Sequence, residues 1–137
     1  MEISMHTFNE WLQEQNDRPN LHWLNGILEQ IKNQLQTATM WAGSDPTNAA
    51  AALEKAMNDQ KSVEIELRKL PMINPNFKYI IMNSWKGRNF LNTMGQETIG
   101  LLRNGDPRGQ QNLEQIAREY DRFLDLYSQN NELKKLG

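Results

Sequence analysis

Residues 21–42, LHWLNGILEQIKNQLQTATMWA, place Leu21, Leu24, Leu28, Ile31, Leu35 and Ala38 at spacings of 3, 4, 3, 4 and 3. Apolar side chains that recur this way fall on one stripe of an α-helix and cannot line one face of a strand. The stripe is an a/d seam of about two and a half heptads. Trp23, Ile27 and Trp41 widen it on one side. The spacing therefore predicts a helix packed against two neighbours, with Gly43 as its C-terminal stop.

The same period continues outward from this segment. Asp45-Pro46 joins a favoured N-cap to a proline at the first helical position, and so opens a helix. Ala49, Leu53, Ala56, Gln60, Val63, Leu67 and Leu70 then follow at alternating steps of 4 and 3, until Pro71 ends the run. Pro71 to Pro75 reads as an extended connection. Asn76 caps a long helix over 77–104, whose apolar half includes Phe77, Ile81, Phe90, Leu91, Met94, Leu101 and Leu102. Gly87 and Gly95 lie on that half, which predicts close approach of another helix, with a break near Gly95 as the alternative. Gly105-Asp106-Pro107 repeats the Asp-Pro start, before Leu113, Ile116, Tyr120, Phe123 and Tyr127. On the N-terminal side, Thr7 and Glu10 make a capping box for a short helix with Phe8 and Trp11 on its apolar face. No run alternates as a strand would. The expected fold is all-α: a four-helix-bundle-like single domain over 1–137 with a short additional N-terminal helix, the helices spanning about 7–16, 21–42, 46–70, 77–104 and 107–135.

Composition narrows the chemistry. The chain has 137 residues, no cysteine and a formal net charge of −2. Disulfides, thiolate nucleophiles and cysteine-ligated metals are excluded. Residues 1–16 lack the basic start and apolar centre of a signal peptide, and polar residues interrupt every apolar run too often for a membrane span. The expected location is cytoplasmic. Charge is polarised: residues 71–110 carry Lys78, Lys86, Arg88, Arg103 and Arg108 against Glu97 and Asp106.

Reactive constellations are thin. His6 and His22 stand apart; neither has a second histidine at i+3 or i+4, and the one carboxylate at that spacing, Glu10 from His6, already serves the Thr7 capping box. Metal-ligating helical pairs need that spacing. Glu64 and Glu66, two apart, point to different sides of a helix. Asp121 and Asp125 are one turn apart, with Arg118 and Arg122 placed to pair with them. Gly105 to Gly109 lacks the Lys-Ser/Thr ending of a phosphate-cradling loop. The expectation is a protein with no catalytic residues, no metal and no cofactor.

The polar half of the 77–104 helix is the candidate contact surface. Lys78, Met82, Trp85, Lys86, Asn89 and Asn92 lie within about 120° of one another on a helical wheel, with Arg88 at the boundary. The apolar stripe is complete without Trp85. An indole among cations and amides suits a protein–protein hot spot, or stacking against single-stranded nucleic acid. The bland alternative is that the short N-terminal helix folds over Trp85 and hides it. Gln60, a polar residue in mid-seam, is a candidate for fixing an oligomer seam; otherwise it sits at the seam's margin and reaches water. The leading expectation is a helical assembly or adaptor protein acting through a protein partner or a second copy of itself. The alternative is a nucleic-acid-binding accessory subunit using the 78–108 stretch.

Overall fold

The computed structural model describes residues 21–72, 75 and 77–128. It comprises α1 (Leu21–Trp41), α2 (Pro46–Leu67), a 3-10 turn (Leu70–Met72), α3 (Phe77–Asn83), α4 (Trp85–Arg103) and α5 (Pro107–Ser128), with no strand among the described residues. The expected helix 7–16 and the 129–135 end of the last helix lie outside the described residues.

The four long helices form a closed ring in which α2 packs between α1 and α4, and α5 packs between α4 and α1. Pairings across the ring fix the directions. Glu54, Met57 and Glu64 of α2 meet Arg103, Gly95 and Arg88 of α4, so one sequence rises as the other falls. This is an up-down-up-down bundle. Its core is the predicted one: Leu24, Leu28, Ile31 and Leu35 of α1, Leu53, Val63 and Leu67 of α2, Leu91 and Leu102 of α4, and Leu113, Ile116, Tyr120 and Phe123 of α5 are all buried. Leu70 and Phe77, both 0% exposed, close one end of the bundle. No helix among the described residues is long and apolar enough to cross a membrane.

Both Asp-Pro starts do what their chemistry predicts. Asp45 Oδ1 accepts from the Asn48 N–H at 3.2 Å, with Pro46 in the first turn of α2. Asp106 Oδ1 accepts from the Arg108 N–H at 2.9 Å at the start of α5. The turn before it also ends α4. Gly105, at φ +68°, donates to the Leu102 carbonyl at 3.1 Å, and Asp106 donates to the Leu101 carbonyl at 2.9 Å. This pair of bonds is a Schellman motif, which needs the left-handed conformation at its glycine. Gly43 plays no such part: α1 ends when Ser44 and Asp45 both donate to the Trp41 carbonyl, and Gly105 is the one glycine with positive φ among the described residues. Asp45→Ala is expected to lower stability by about 1 kcal/mol in urea denaturation, as loss of an N-cap does, and Asp106→Ala to lower it in the same direction; an unchanged midpoint in either would mean its carboxylate caps nothing.

Several sequence expectations need correction. The 46–70 helix ends at Leu67, and Leu70–Met72 is a 3-10 turn where an extended strap was expected. Trp23 and Trp41 widen the α1 stripe without being buried, at 37% and 42% exposed. The 77–104 helix is interrupted, at Ser84 and not near Gly95. Arg88 takes up the backbone group left open at the interruption. Its guanidinium donates from Nη2 to the Ile81 carbonyl at 2.6 Å and from Nε to Ser84 Oγ at 3.2 Å, while Ser84 Oγ donates to the same carbonyl at 3.3 Å. Side chains thus satisfy a carbonyl at the end of α3, where the helical ladder stops.

Gln60 neither reaches water nor is free to join an oligomer seam. It is 0% exposed, and its amide is used within the chain. Tyr120 OH donates to Gln60 Oε1 at 2.5 Å, and Gln60 Nε2 donates to Glu64 Oε1 at 2.8 Å. Both sides of the amide have partners, so burial is tolerated. Burial, with the Glu64 charge nearby, pushes the Tyr120 hydroxyl well above the usual tyrosine value. Burial also pushes Tyr127, whose hydroxyl donates to Asn25 Oδ1 at 2.6 Å, up to about 12. From the unfolded value near 10 up to about 12, the unfolded chain releases protons that the folded chain keeps. Stability must therefore fall as pH rises through this window, by at most about 1.4 kcal/mol per pH unit for each tyrosine. Urea midpoints compared at about pH 8 and pH 11 should drop less in Tyr127→Phe than in the wild type. An equal drop would mean Tyr127 ionises alike in both states.

Candidate functional site

Eight large apolar side chains are exposed among the described residues, and five of them, Ile65, Met72, Tyr79, Met82 and Trp85, come from residues 65–85. Because α2 and α4 are antiparallel, the C-terminal turns of α2, the 3-10 turn, α3 and the first turn of α4 gather at one end of the bundle. Local sequence places each side chain. In α4 the buried positions Gly87, Leu91, Gly95, Thr98 and Leu102 define the inner face. Trp85, Asn89 and Asn92 stand about 100° away from it, along the edge toward α2. In α2 the residues Lys61, Ile65 and Arg68 follow at i, i+4 and i+7 on the facing exposed edge.

Between these edges lies a cleft of about 180 Å³ lined by Glu64, Arg68, Trp85, Arg88, Asn89 and Asn92. Trp85 stands at its rim, 58% exposed. The expected cover over Trp85, from Phe8 and Trp11, lies outside the described residues. Lys78, Met82 and Lys86 are exposed at the same end of the bundle but do not line the cleft.

Arg88 is a correction to the sequence reading. It is 3% exposed and cannot present itself to a partner. Its Nη1 pairs with Glu64 Oε2, and its guanidinium carbon lies 5.8 Å from the centroid of the Phe123 ring. Arg88 thus forms the floor of the cleft, its charge matched by Glu64. The wheel did not find Glu64 and Arg68, because they belong to a different helix. Their one sequence signal is that both fall beside the α2 seam at the level where the chain reverses.

On α2, α3 and the start of α4 the unmatched charges at this end are basic, whereas Asp121 and Asp125 are exposed on α5 at the same end. Lys61, Arg68, Lys78 and Lys86 are exposed and form no ion pair with another described residue. Charges elsewhere on the same edges are matched: Lys69 holds Glu66 at 3.0 Å, and Arg103 holds Glu54 at 3.0 Å farther along the bundle. Arg122, expected to pair with Asp121 or Asp125, instead holds Glu119 at 3.0 Å.

No family model, curated protein or solved structure matches this chain. A larger groove of about 570 Å³ runs between α1 and α2, with Gln30, Asn33, Gln34, Asn48, Ala51 and Trp41 among its lining. Its lining is mainly amide and small side chains, and it collects neither clustered charge nor a contiguous set of exposed apolar groups. The α2–α4 edge has both. Among the described residues, no three of histidine, aspartate and glutamate cluster as a metal ion would need.

Proposed function

We propose that this chain is a non-catalytic helical adaptor of the cytoplasm, which seats another protein on the end of the bundle around Trp85. One observation carries the reading: Ile65, Met72, Tyr79, Met82 and Trp85, all from the end of the bundle where α2 gives way to α4, are each at least 57% exposed. Scattered exposed apolar residues need no explanation, whereas a cluster rimmed by polar groups marks a contact surface. Aromatic and methionine side chains are the types enriched at the centres of protein interfaces. A chain without cysteine loses nothing in a reducing compartment.

The second reading, single-stranded nucleic acid, is favoured by a different feature: Trp85 lines the cleft with the amides of Asn89 and Asn92, at an end of the bundle that carries four cations with no ion pair to a described residue. Stacking and phosphate pairing use those groups. Ile65, Met72 and Met82 have no role there, since a sugar–phosphate backbone offers them little to pack against.

Trp85→Ala is the test of the surface itself. The indole contributes little to the core, so the melting temperature should stay nearly constant. Binding to a purified partner should weaken more than tenfold, as loss of a hot-spot tryptophan does. A sharp drop in melting temperature with unchanged affinity would show Trp85 to be structural. The joint variant Arg68→Gln, Lys78→Gln, Lys86→Gln separates the two readings. Phosphate contacts would flatten the slope of log affinity against log salt by nearly three, and a protein partner would show a smaller change, mainly in on-rate.

A further inference from the structure

We infer that the partner seated around Trp85 is an acidic amphipathic helix of another protein, with apolar side chains packed on Met82 and Trp85 and a carboxylate inserted in the cleft against Arg68. The inference rests on the contact-surface reading above and adds the chemistry of the occupant. It starts from charge. Within the cleft, Glu64 and Arg88 match each other, so Arg68 is the one uncompensated charge in its lining. Asn89 and Asn92 add amide N–H donors to the same wall. A carboxylate placed there gains an arginine and amide donors together, the kind of charge-assisted bonding that fixes orientation. At the same end of the bundle Lys61, Lys78 and Lys86 are exposed and form no ion pair with a described residue.

The alternatives fit less well. In a two-fold homodimer through this face, the same patch would meet itself. That would bring the basic end carrying Arg68 and the three lysines against the same basic end of the second copy, and like charges across an interface cost affinity. Nucleic acid would satisfy the cations and leave the isoleucine and methionines unused. The basic surface is also short. The Glu54–Arg103 pair neutralises the same edges 14 residues of α2 away from Arg68, or about 21 Å along a helix. A helical segment of about four turns spans that distance, which is the length of the amphipathic helices that dock in grooves.

Fluorescence anisotropy with labelled synthetic helices tests this on the full chain at low salt. Three peptides share one leucine stripe and carry glutamate, glutamine or lysine at the flanking positions, and a single-stranded oligothymidylate serves as the fourth probe. The glutamate peptide is expected to bind at least tenfold tighter than the lysine peptide. Arg68→Glu should reverse that order. The glutamate peptide should also shift the Asn89 and Asn92 side-chain amide resonances. Arg68 is exposed, so its variant should melt with the wild type; Lys86→Glu, on another helix, gives an independent charge reversal.

If all three peptides bind alike and all depend on Trp85, the acidic partner is wrong and the contact surface stands. If no peptide binding depends on Trp85, the contact surface itself fails. Tighter, Trp85-dependent binding of the oligothymidylate overturns both in favour of nucleic acid.

Discussion

Arg88→Ala is expected to lower the unfolding free energy by about 3 kcal/mol, the low end of the range for breaking a buried ion pair by removing one partner. The low end applies because Glu64 keeps 22% of its side-chain surface in water and is not stranded in a dry interior. Three further losses add to the charge. The Ile81 carbonyl loses its 2.6 Å donor, Ser84 Oγ loses its 3.2 Å donor, and the Phe123 ring loses the guanidinium stacked 5.8 Å from its centroid. Replacing Glu64 by glutamine in the same chain should restore part of the loss, because an unpaired amide is cheaper to leave in the cleft than an unpaired carboxylate. Urea denaturation of the two variants checks both statements. A loss under about 0.5 kcal/mol would mean Arg88 behaves as a surface arginine, since surface substitutions usually stay within that limit.

That alternative was the natural reading of the sequence, and its failure shows where sequence reasoning stops. The seams of α1, α2 and α5 were legible because one apolar stripe per helix decides what faces inward. Trp85 was legible for the complementary reason: it falls outside a stripe that Gly87, Leu91, Gly95 and Leu102 already complete. Arg88 and Gln60 were misplaced because the groups that allow their burial are remote. Arg88 depends on Glu64, 24 residues away, and Gln60 depends on Tyr120, 60 residues away. A helical wheel sees one helix, and polar burial is a property of two or three. The break at Ser84 was hidden similarly. Phe77 and Ile81 continue the apolar phase across it, and the group that takes up the Ile81 carbonyl at the end of α3 is a guanidinium four residues past Ser84. Arg68 was missed because half of the cleft belongs to a helix that only the bundle brings alongside.

Glycines give the second large effect, and its sign depends on position. Gly87→Ala is expected to destabilise the fold by about 1–2 kcal/mol, and Gly100→Ala to stabilise it by up to about 1 kcal/mol. Both sit inside α4, where alanine in place of glycine gains roughly 1 kcal/mol of helix propensity. At Gly100 nothing lies within 4 Å of the added methyl, so the gain is kept. At Gly87 the methyl would meet the backbone carbonyl oxygen of Glu119 and stand 3.2 Å from Phe123 Cβ. Neither is the far end of a flexible side chain, so α4 and α5 would have to move apart. Overpacking of this kind costs about 1–3 kcal/mol or more and outweighs the propensity gain. Gly95 is the intermediate case, because a methyl there meets the sulfur and terminal carbon of Met57, which can change rotamer. The ranking Gly100→Ala, then Gly95→Ala, then Gly87→Ala in falling stability follows from these three environments, and thermal denaturation of the series reads it directly. If Gly87→Ala were as stable as Gly100→Ala, α4 and α5 would not approach closely enough to place Arg88 over Phe123, and the cleft floor described above would be wrong.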